Sequence, residues 1–309
     1  MKYIFESYLG SYIEEFIKAK HKAGFSYKRE VHHLKGFDQY CHQHSLSVKD
    51  LQREKILIYF DRKQSECTGS HYARICVIKQ FLYYLNSRGI ETYIPIQKAP
   101  KTKRLPFLMT DIHLQSFFKI LDAEPPKSKL NYKLLFRLLC TTGLRISEAL
   151  NLKLSDFDAE KGCLTILNSK GNKDRLVYLS EDMTLLLSQF CKNKKAEYYI
   201  IPGHKLEKKH CYSSIARRFN EIWLKTGFYV ENGKNPTVHS LRHYYVTKRI
   251  NLWAEQGIPL NNMLICLANQ LGHSSPNETF YYFHLIEDSL KVISKKDITG
   301  KKIMEDINE

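Results

Sequence analysis

A basic segment that contains three prolines divides the chain into two parts. Pro95, Pro100 and Pro106 lie within IPIQKAPKTKRLPFLMT, together with four lysine and arginine residues. Proline lacks a backbone donor and restricts the residue before it, so this segment disfavours both a helix and a central strand. We therefore expect a basic linker over residues 96–106. The chain of 309 residues is long enough to fold independently on either side of it.

Residues 1–95 have the apolar spacing of helices that are separated by short breaks. An apolar stripe along the first helix contains Tyr8, Tyr12, Phe16 and Ile17. Three further helical patterns follow it, and none of the segments between them has a convincing strand pattern. The sequence therefore predicts a small helical bundle for the first part of the chain.

The part that follows the linker mixes helical and strand patterns. Two strand-like runs, residues 162–167 and 175–179, flank the polar turn NSKGNKD. This arrangement is typical of a β-hairpin. Helical spacing covers most of the remaining segments. The expected fold class is therefore mainly α with a small β-sheet, in which an N-terminal helical bundle precedes a mixed α/β domain.

Positive charge is distributed over both parts. The chain has 48 lysine and arginine residues against 32 acidic residues, a formal net charge of +16. Residues 1–104 hold 19 basic and 10 acidic side chains, and the remainder holds 29 and 22. A distributed positive field suits a long polyanion, most simply a nucleic acid. The alternative is a protein that is basic without such a partner.

Several other classes of protein are disfavoured. No apolar run reaches the roughly 18 residues of a membrane span. Glu6, Glu14 and Glu15 interrupt the apolar stretch that a signal peptide would need. The eight cysteines form no C-x-x-C pair, and the cluster at Cys41 lacks a second ligand pair at zinc spacing. We expect a cytoplasmic protein with free thiols, without a metal or other cofactor and without a membrane partner.

Four short segments carry side chains that suit phosphoryl transfer. They are TTGLRISEALNL, SKGNKDRLVYL, HSLRH and LGHSSPNETFYYFH. Each is weak alone, because a lysine in a turn or a pair of tyrosines is common in any fold. Together they supply arginine forks for phosphate oxygens, lysine and histidine as proton donors or acceptors, and a tyrosine nucleophile. No carboxylate cluster for a divalent metal is evident, so positive side chains would stabilise the pentacoordinate phosphorane.

In this order the four segments resemble the motifs of the tyrosine recombinase/integrase family, the group of the Xer-like recombinases and the transposon and phage integrases. The resemblance covers nearly the whole chain. It implies a core-binding, DNA-binding domain over residues 1–95 and a catalytic domain with a C-terminal tail over residues 107–309. The hairpin departs from the family pattern at Ser169 and Tyr178, where glycine and proline are frequent.

The resemblance implies a catalytic set of six side chains: Arg145, Lys170, His239, Arg242, His273 and Tyr282. The tyrosine attacks the scissile phosphate, forms a 3′-phosphotyrosyl link and frees a 5′-hydroxyl. The two arginines clamp the non-bridging oxygens, and the lysine protonates the leaving oxygen, with Lys173 as the competing hairpin lysine. The first histidine takes the tyrosine proton, and the second donates a hydrogen bond to the phosphate.

Neighbouring residues leave alternatives open. Tyr282 lies nine residues after His273, as in the family, and Tyr281 is one residue short and is expected to pack. Glu148 is either an orienting group for its neighbours or a charge on a helix surface. His243 and His284 are expected to be structural.

The implied assembly is a homotetramer on two double-stranded DNA sites, with a possible second recombinase or accessory protein. The apolar tail after Tyr282 would dock on a neighbouring protomer or pack on its own. A longer stretch between His239 and His273 than in compact Xer proteins favours an enzyme that integrates or excises a mobile element, independently of ATP. The alternatives are a chromosome-dimer resolvase, a catalytically silent DNA-binding accessory protein and a type IB topoisomerase.

Overall fold

The computed structural model describes residues 4–96, 106–125, 132–167, 174–203, 205–228, 235–273, 275 and 277–283. The chain divides into two compact units, Met1–Arg104 and Leu105–Glu309. The expected linker lies at this division, although its residues 97–105 are outside the described part. No helix in the described ranges is long and apolar enough to cross a membrane.

The described residues of the first unit form a small helical bundle with its own core. Its helices are α1 (Gly10–Lys22), α2 (Glu30–Gln43), α3 (Arg53–Phe60) and α4 (Thr68–Ser87). The predicted stripe along α1 is corrected at Tyr8 alone, since Tyr12 packs against the core of this unit. Tyr8 precedes the helix and is 74% exposed, whereas Leu9 and Ile13 are buried beside Phe16 and Ile17.

The second unit combines helices with a small sheet. Within the described residues they are α5 (Asp111–Ala123), α6 (Tyr132–Thr142), α7 (Ile146–Ala149), α8 (Glu181–Cys191), α9 (Tyr212–Lys225), α10 (Val238–Glu255), α11 (Leu260–Leu271) and α12 (Asn277–Phe283). Thr110 caps α5, since its side chain accepts a hydrogen bond from the backbone amide of His113. The mainly helical fold class with a small sheet is confirmed.

The sheet contains one more strand than the sequence predicts. The hairpin strands are β2 (Cys163–Ile166) and β3 (Arg175–Tyr178), which pair antiparallel with Leu164 opposite Val177. A two-residue strand, β1 (Phe157–Asp158), pairs with the other edge of β2. It is too short for an alternating pattern to be recognised. The hairpin turn, residues 168–173, lies outside the described residues.

Helix α10 is the element that organises the site. It packs against α6, α11 and α12. Tyr245 and Leu271, from α10 and the end of α11, belong to an apolar cluster that also contains Tyr282 from α12. The first two turns of α10 carry His239, Arg242 and His243. Their spacing of three and four residues places these side chains on neighbouring positions of one helix face.

The glycine that ends α6 is required by the packing of α10. Gly143 has a φ of +66°, and a Cβ there would lie 2.5 Å from the Tyr245 ring and 2.8 Å from Leu271. We expect Gly143→Ala to lower the free energy of unfolding by about 2–5 kcal/mol, from the left-handed backbone and the overpacking together. Gly257→Ala is the matched control, since φ is +70° but no described atom lies within 4 Å. Urea unfolding should show a cost of only about 1–2 kcal/mol for it; equal losses in the two variants would refute the packing argument.

Candidate active site

Five of the six predicted site residues are described, and they come from four places in the second unit. Arg145 immediately precedes α7, while His239 and Arg242 lie on α10. His273 follows Gly272, which ends α11 in the left-handed conformation, and Tyr282 lies on α12. Lys170 and its competitor Lys173 lie outside the described residues, as does His284.

The two predicted phosphate-binding arginines meet at the carboxyl end of α11. Arg242 is 2% exposed; it donates from Nη1 to the Gly143 carbonyl at 2.7 Å and from Nη2 to the Leu271 carbonyl at 3.0 Å. Arg145 donates to the Leu271 carbonyl at 3.3 Å and the Gly272 carbonyl at 2.9 Å. The last carbonyls of a helix carry partial negative charge, so they hold two cations close together.

Arg242 is a cation at neutral pH. Burial and the nearby charge of Arg145 lower the pKa of Arg242 to about 10. Its guanidinium is therefore still protonated, and it is held at two nitrogens in a fixed orientation. The two guanidinium groups share the Leu271 carbonyl as a hydrogen-bond acceptor, and together they can bind the oxygens of a phosphodiester.

Glu148 connects the first arginine to a third one that the sequence does not single out. The Glu148 carboxylate is buried and accepts from the backbone amide and Nη1 of Arg145, each at 2.9 Å. It also accepts from Nη1 and Nη2 of Arg175 on β3, at 3.2 and 2.8 Å. Arg175 in turn donates from Nε to the Gln270 carbonyl at 2.8 Å. Glu148 is thus an orienting group, and the alternative of a helix-surface charge is wrong.

This network ties the hairpin strand to the end of α11. Burial opposes the charge of Glu148, but hydrogen bonds from Arg175 and Arg145 outweigh it and hold the pKa of the carboxyl below its usual value. The close approach of Arg175 also explains Gly272, because a Cβ there would lie 2.7 Å from Nη1 of Arg175. The only sequence signal for Arg175 is its position at the end of a polar turn, where an arginine is usually solvated.

The neighbouring tyrosines have different surroundings. Tyr282 is 5% exposed, and its hydroxyl lies 2.7 Å from Nδ1 of His243. Tyr281 is 36% exposed. Burial raises the pKa of the Tyr282 hydroxyl, and the charge of Arg242 partly offsets this rise. The ring of His239, the predicted proton acceptor, lies against that of His243, with centroids 4.6 Å apart.

The three histidines of the site are neutral at neutral pH. Burial is the first cause in each case, and the positive charge of Arg242 adds to it, so that the pKa values of His239, His243 and His273 are all lowered to about 4. His273 also makes a 2.7 Å hydrogen bond from Nδ1 to the hydroxyl of Thr279 on α12, which is fully buried. The two histidine–hydroxyl pairs hold α12 against α10 and α11.

These lowered pKa values predict how stability depends on pH. Between the ordinary value of 6.5 and about 4, the unfolded chain binds protons that the folded site does not. The contribution of these neutral histidines to the free energy of unfolding is therefore complete above pH 6.5. It is lost as the pH falls toward 4, by up to about 1.4 kcal/mol per pH unit for each histidine. Urea unfolding between pH 4.5 and 7.5 should show a shallower dependence for His239→Asn than for the native protein. An unchanged slope would contradict the burial of His239 as a neutral ring.

Comparisons with known proteins identify a matching family, related sequences and structures of the same fold. A sequence model of the phage integrase family matches residues 109–288. The tyrosine recombinase XerA of Saccharolobus solfataricus is 30% identical over 231 residues, which are 75% of this chain and 68% of XerA. Two solved structures show the same fold. A lambda integrase tetramer bound to a Holliday junction has a TM-score of 0.63 at 17% identity and covers 87% of this chain and 78% of its own. The Tn1549 transposon integrase in complex with a circular intermediate DNA has a TM-score of 0.63 at 16% identity and covers 94% and 99%.

The family match extends over more than half of the chain and spans the arginines, the histidines and the buried tyrosine of the site. The resemblance inferred from the four motifs is confirmed: the chain belongs to the phage integrase family of tyrosine recombinases.

Proposed function

We propose that this protein is a site-specific DNA recombinase that cleaves and rejoins double-stranded DNA through a 3′-phosphotyrosyl intermediate. The observation that carries the proposal is the arrangement around the end of α11. Arg145 and Arg242 share the Leu271 carbonyl, and the hydroxyl of the buried Tyr282 is bonded to the residue that follows Arg242. A tyrosine nucleophile and two fixed cations are what transesterification of a phosphodiester needs.

The proposed reaction begins when the two arginines bind the non-bridging oxygens of the scissile phosphate. The Tyr282 oxygen attacks phosphorus, and the bond from phosphorus to the 5′-oxygen breaks. Lys170 is proposed to protonate that oxygen and His273 to donate a hydrogen bond to the phosphate, while the family motifs assign the tyrosine proton to His239. The arginines hold the extra negative charge of the pentacoordinate phosphorane without reorganising. The covalent link conserves the phosphodiester energy, so strand exchange needs no ATP.

The proposed assembly is a homotetramer on two DNA sites, in which the first unit adds DNA contacts and the tail after α12 docks on a neighbour. The lambda integrase tetramer has this fold and is bound to a Holliday junction, which supports that part of the proposal. An accessory protein or second recombinase is an additional possible partner. A DNA-acting enzyme of this kind would work in the cytoplasm.

Within this activity we propose integration or excision of a mobile element. The stretch between His239 and His273 is longer than in compact Xer proteins, and it forms most of α10 and all of α11. The Tn1549 transposon integrase shares the fold over nearly all of both chains, which supports this choice. The alternative is chromosome-dimer resolution by a Xer-type enzyme. Recombination only between two copies of one chromosomal sequence, and not at the ends of a mobile element, would favour this alternative.

Covalent trapping tests the proposed function. The protein is mixed with nicked duplexes made from the DNA that flanks its own gene, and the mixture is denatured in detergent. The expected result is a band of retarded mobility whose DNA carries the protein at its 3′ end, and sequencing of that DNA would identify the site. DNA binding without any such band would favour the accessory protein. Relaxation of a supercoiled plasmid without strand exchange would favour a topoisomerase.

A further inference from the structure

The proposed nucleophile, Tyr282, is hydrogen-bonded to His243, a residue that the family motifs do not assign to catalysis. Nδ1 of His243 lies 2.7 Å from the Tyr282 oxygen, and the two rings are 5.5 Å apart at 45°. This distance is within the reach that proton transfer requires. Tyr282 belongs to an apolar cluster with Val246 and Leu271, so water has little access to compete for its proton.

The surroundings keep His243 able to accept a proton. Burial, the ring of His239 and the charge of Arg242 lower the pKa of His243 to about 4, so the ring is neutral. A neutral imidazole accepts at the nitrogen that carries no hydrogen, and Nδ1 faces the hydroxyl. His239 lies one ring further away, against His243.

We propose that His243 is the proton acceptor for Tyr282 in strand cleavage, and that it returns the proton during rejoining. This inference rests on the proposed recombinase function. In cleavage the Tyr282 O–H bond breaks, the proton moves to Nδ1, and the phenolic oxygen bonds to phosphorus as the bond to the 5′-oxygen breaks. The 5′-oxygen takes its proton from the general acid. In rejoining each of these transfers is reversed, so the protein ends with the same number of protons.

Substrate binding itself would make this transfer possible. Several charged or titratable neighbours influence the pKa values of His243 and Tyr282. They are His239 and Arg242 from α10, Arg145 before α7, and Tyr281 and Glu278 from α12. In the free protein Arg242 disfavours a protonated His243. A phosphodiester bound between the two arginines brings a negative charge that offsets this field. The basicity of His243 therefore increases when the scissile phosphate is bound.

The decisive variant is His243→Asn. An asparagine oxygen can occupy the place of Nδ1 and accept the Tyr282 hydrogen bond, but it cannot take the proton. We expect the rate of covalent adduct formation on a nicked duplex at pH 7 to fall about 100-fold or more, with DNA binding unchanged. The native rate should be nearly flat between pH 6 and 8. The variant rate should rise about tenfold per pH unit, because ionisation of the tyrosine by solvent replaces the internal acceptor.

Two comparisons separate this role from others. His239→Asn should keep the flat pH profile whatever its rate. A duplex with a sulfur in place of the 5′-bridging oxygen has a leaving group that needs no protonation, so it should not rescue His243→Asn. If His243→Asn reacts as fast as the native protein or faster, the proposal is overturned. The hydrogen bond between His243 and Tyr282 would then only position the tyrosine in the free protein. A flat profile for that variant, or rescue by the sulfur duplex, would also overturn it.

A measurement on the native protein covers the case in which the variant does not fold. Histidine labelled with ¹⁵N reports by NMR which ring nitrogen carries the hydrogen. The proposal requires Nε2–H in His243, and Nδ1–H would overturn it because the ring would then donate to the tyrosine. If the native protein forms no adduct with any DNA, the proposed function fails and this inference fails with it. If only His243→Asn is unaffected, the function stands and the inference alone is wrong.

Discussion

Replacing Tyr282 with phenylalanine is expected to abolish the covalent protein–DNA adduct. The substitution removes the attacking oxygen and nothing else from the side chain. No other group should substitute for it, because Tyr281 lies on a different side of α12 and is 36% exposed. We expect adduct formation to fall by about 10⁴-fold or more, the scale on which an enzyme loses activity with its nucleophile. Detergent gels of the trapped nicked duplex would measure it.

The folded protein should tolerate this change. Phenylalanine keeps the ring within the cluster of Tyr245, Val246 and Leu271, and only the hydrogen bond to His243 is lost. The expected loss in the free energy of unfolding is about 0.5–1.5 kcal/mol. DNA binding at low salt should be retained, because phosphate contacts determine it. Tyr281→Phe is the matched control and should still form the adduct. The reverse result, an adduct with Tyr282→Phe and none with Tyr281→Phe, would move the nucleophile by one residue.

Much of this architecture follows from local sequence patterns. Four helices separated by short breaks form the first unit, as the apolar periodicity of residues 1–95 predicts. The hairpin strands also agree, since a polar turn between two alternating runs has few other solutions. The choice of Tyr282 rather than Tyr281 rests on spacing from His273, and the structure buries the first and exposes the second.

The contacts that shape the site do not follow from local patterns. Glu148 and Arg175 are 27 residues apart, and His243 and Tyr282 are 39 apart. A charge on a short helix and an arginine beside a turn are both usually solvated, and only the tertiary fold brings them together away from water. The exposed Tyr8 at the start of the predicted stripe has a different cause. Periodicity alone does not show where a helix begins, so it does not distinguish Tyr8, which precedes α1, from the residues of the helix that face the core.

Arg145→Ala is expected to abolish cleavage with a limited loss of stability. The substitution removes one of the two forks for the phosphate, and comparable arginines in phosphoryl transfer contribute about 10³–10⁵ in rate. It also removes hydrogen bonds to the carbonyls of Leu271 and Gly272. Glu148 is not left as an unpaired buried charge, because Arg175 still binds both of its oxygens. The expected loss in the free energy of unfolding is therefore only about 1–3 kcal/mol.

Two further variants identify which property of Arg145 matters. Arg145→Lys keeps the charge but replaces a planar fork with a single point, so DNA binding should remain near the native level while cleavage stays reduced by about 100-fold or more. Arg249→Ala removes an exposed charge from α10 and should leave cleavage close to native, since that side chain lies over Tyr245 and not at the end of α11. Full cleavage by Arg145→Lys would show that charge alone is needed. Full cleavage by Arg145→Ala would show that Arg145 is not part of the active site. Its hydrogen bond to the Leu271 carbonyl would then only stabilise the fold.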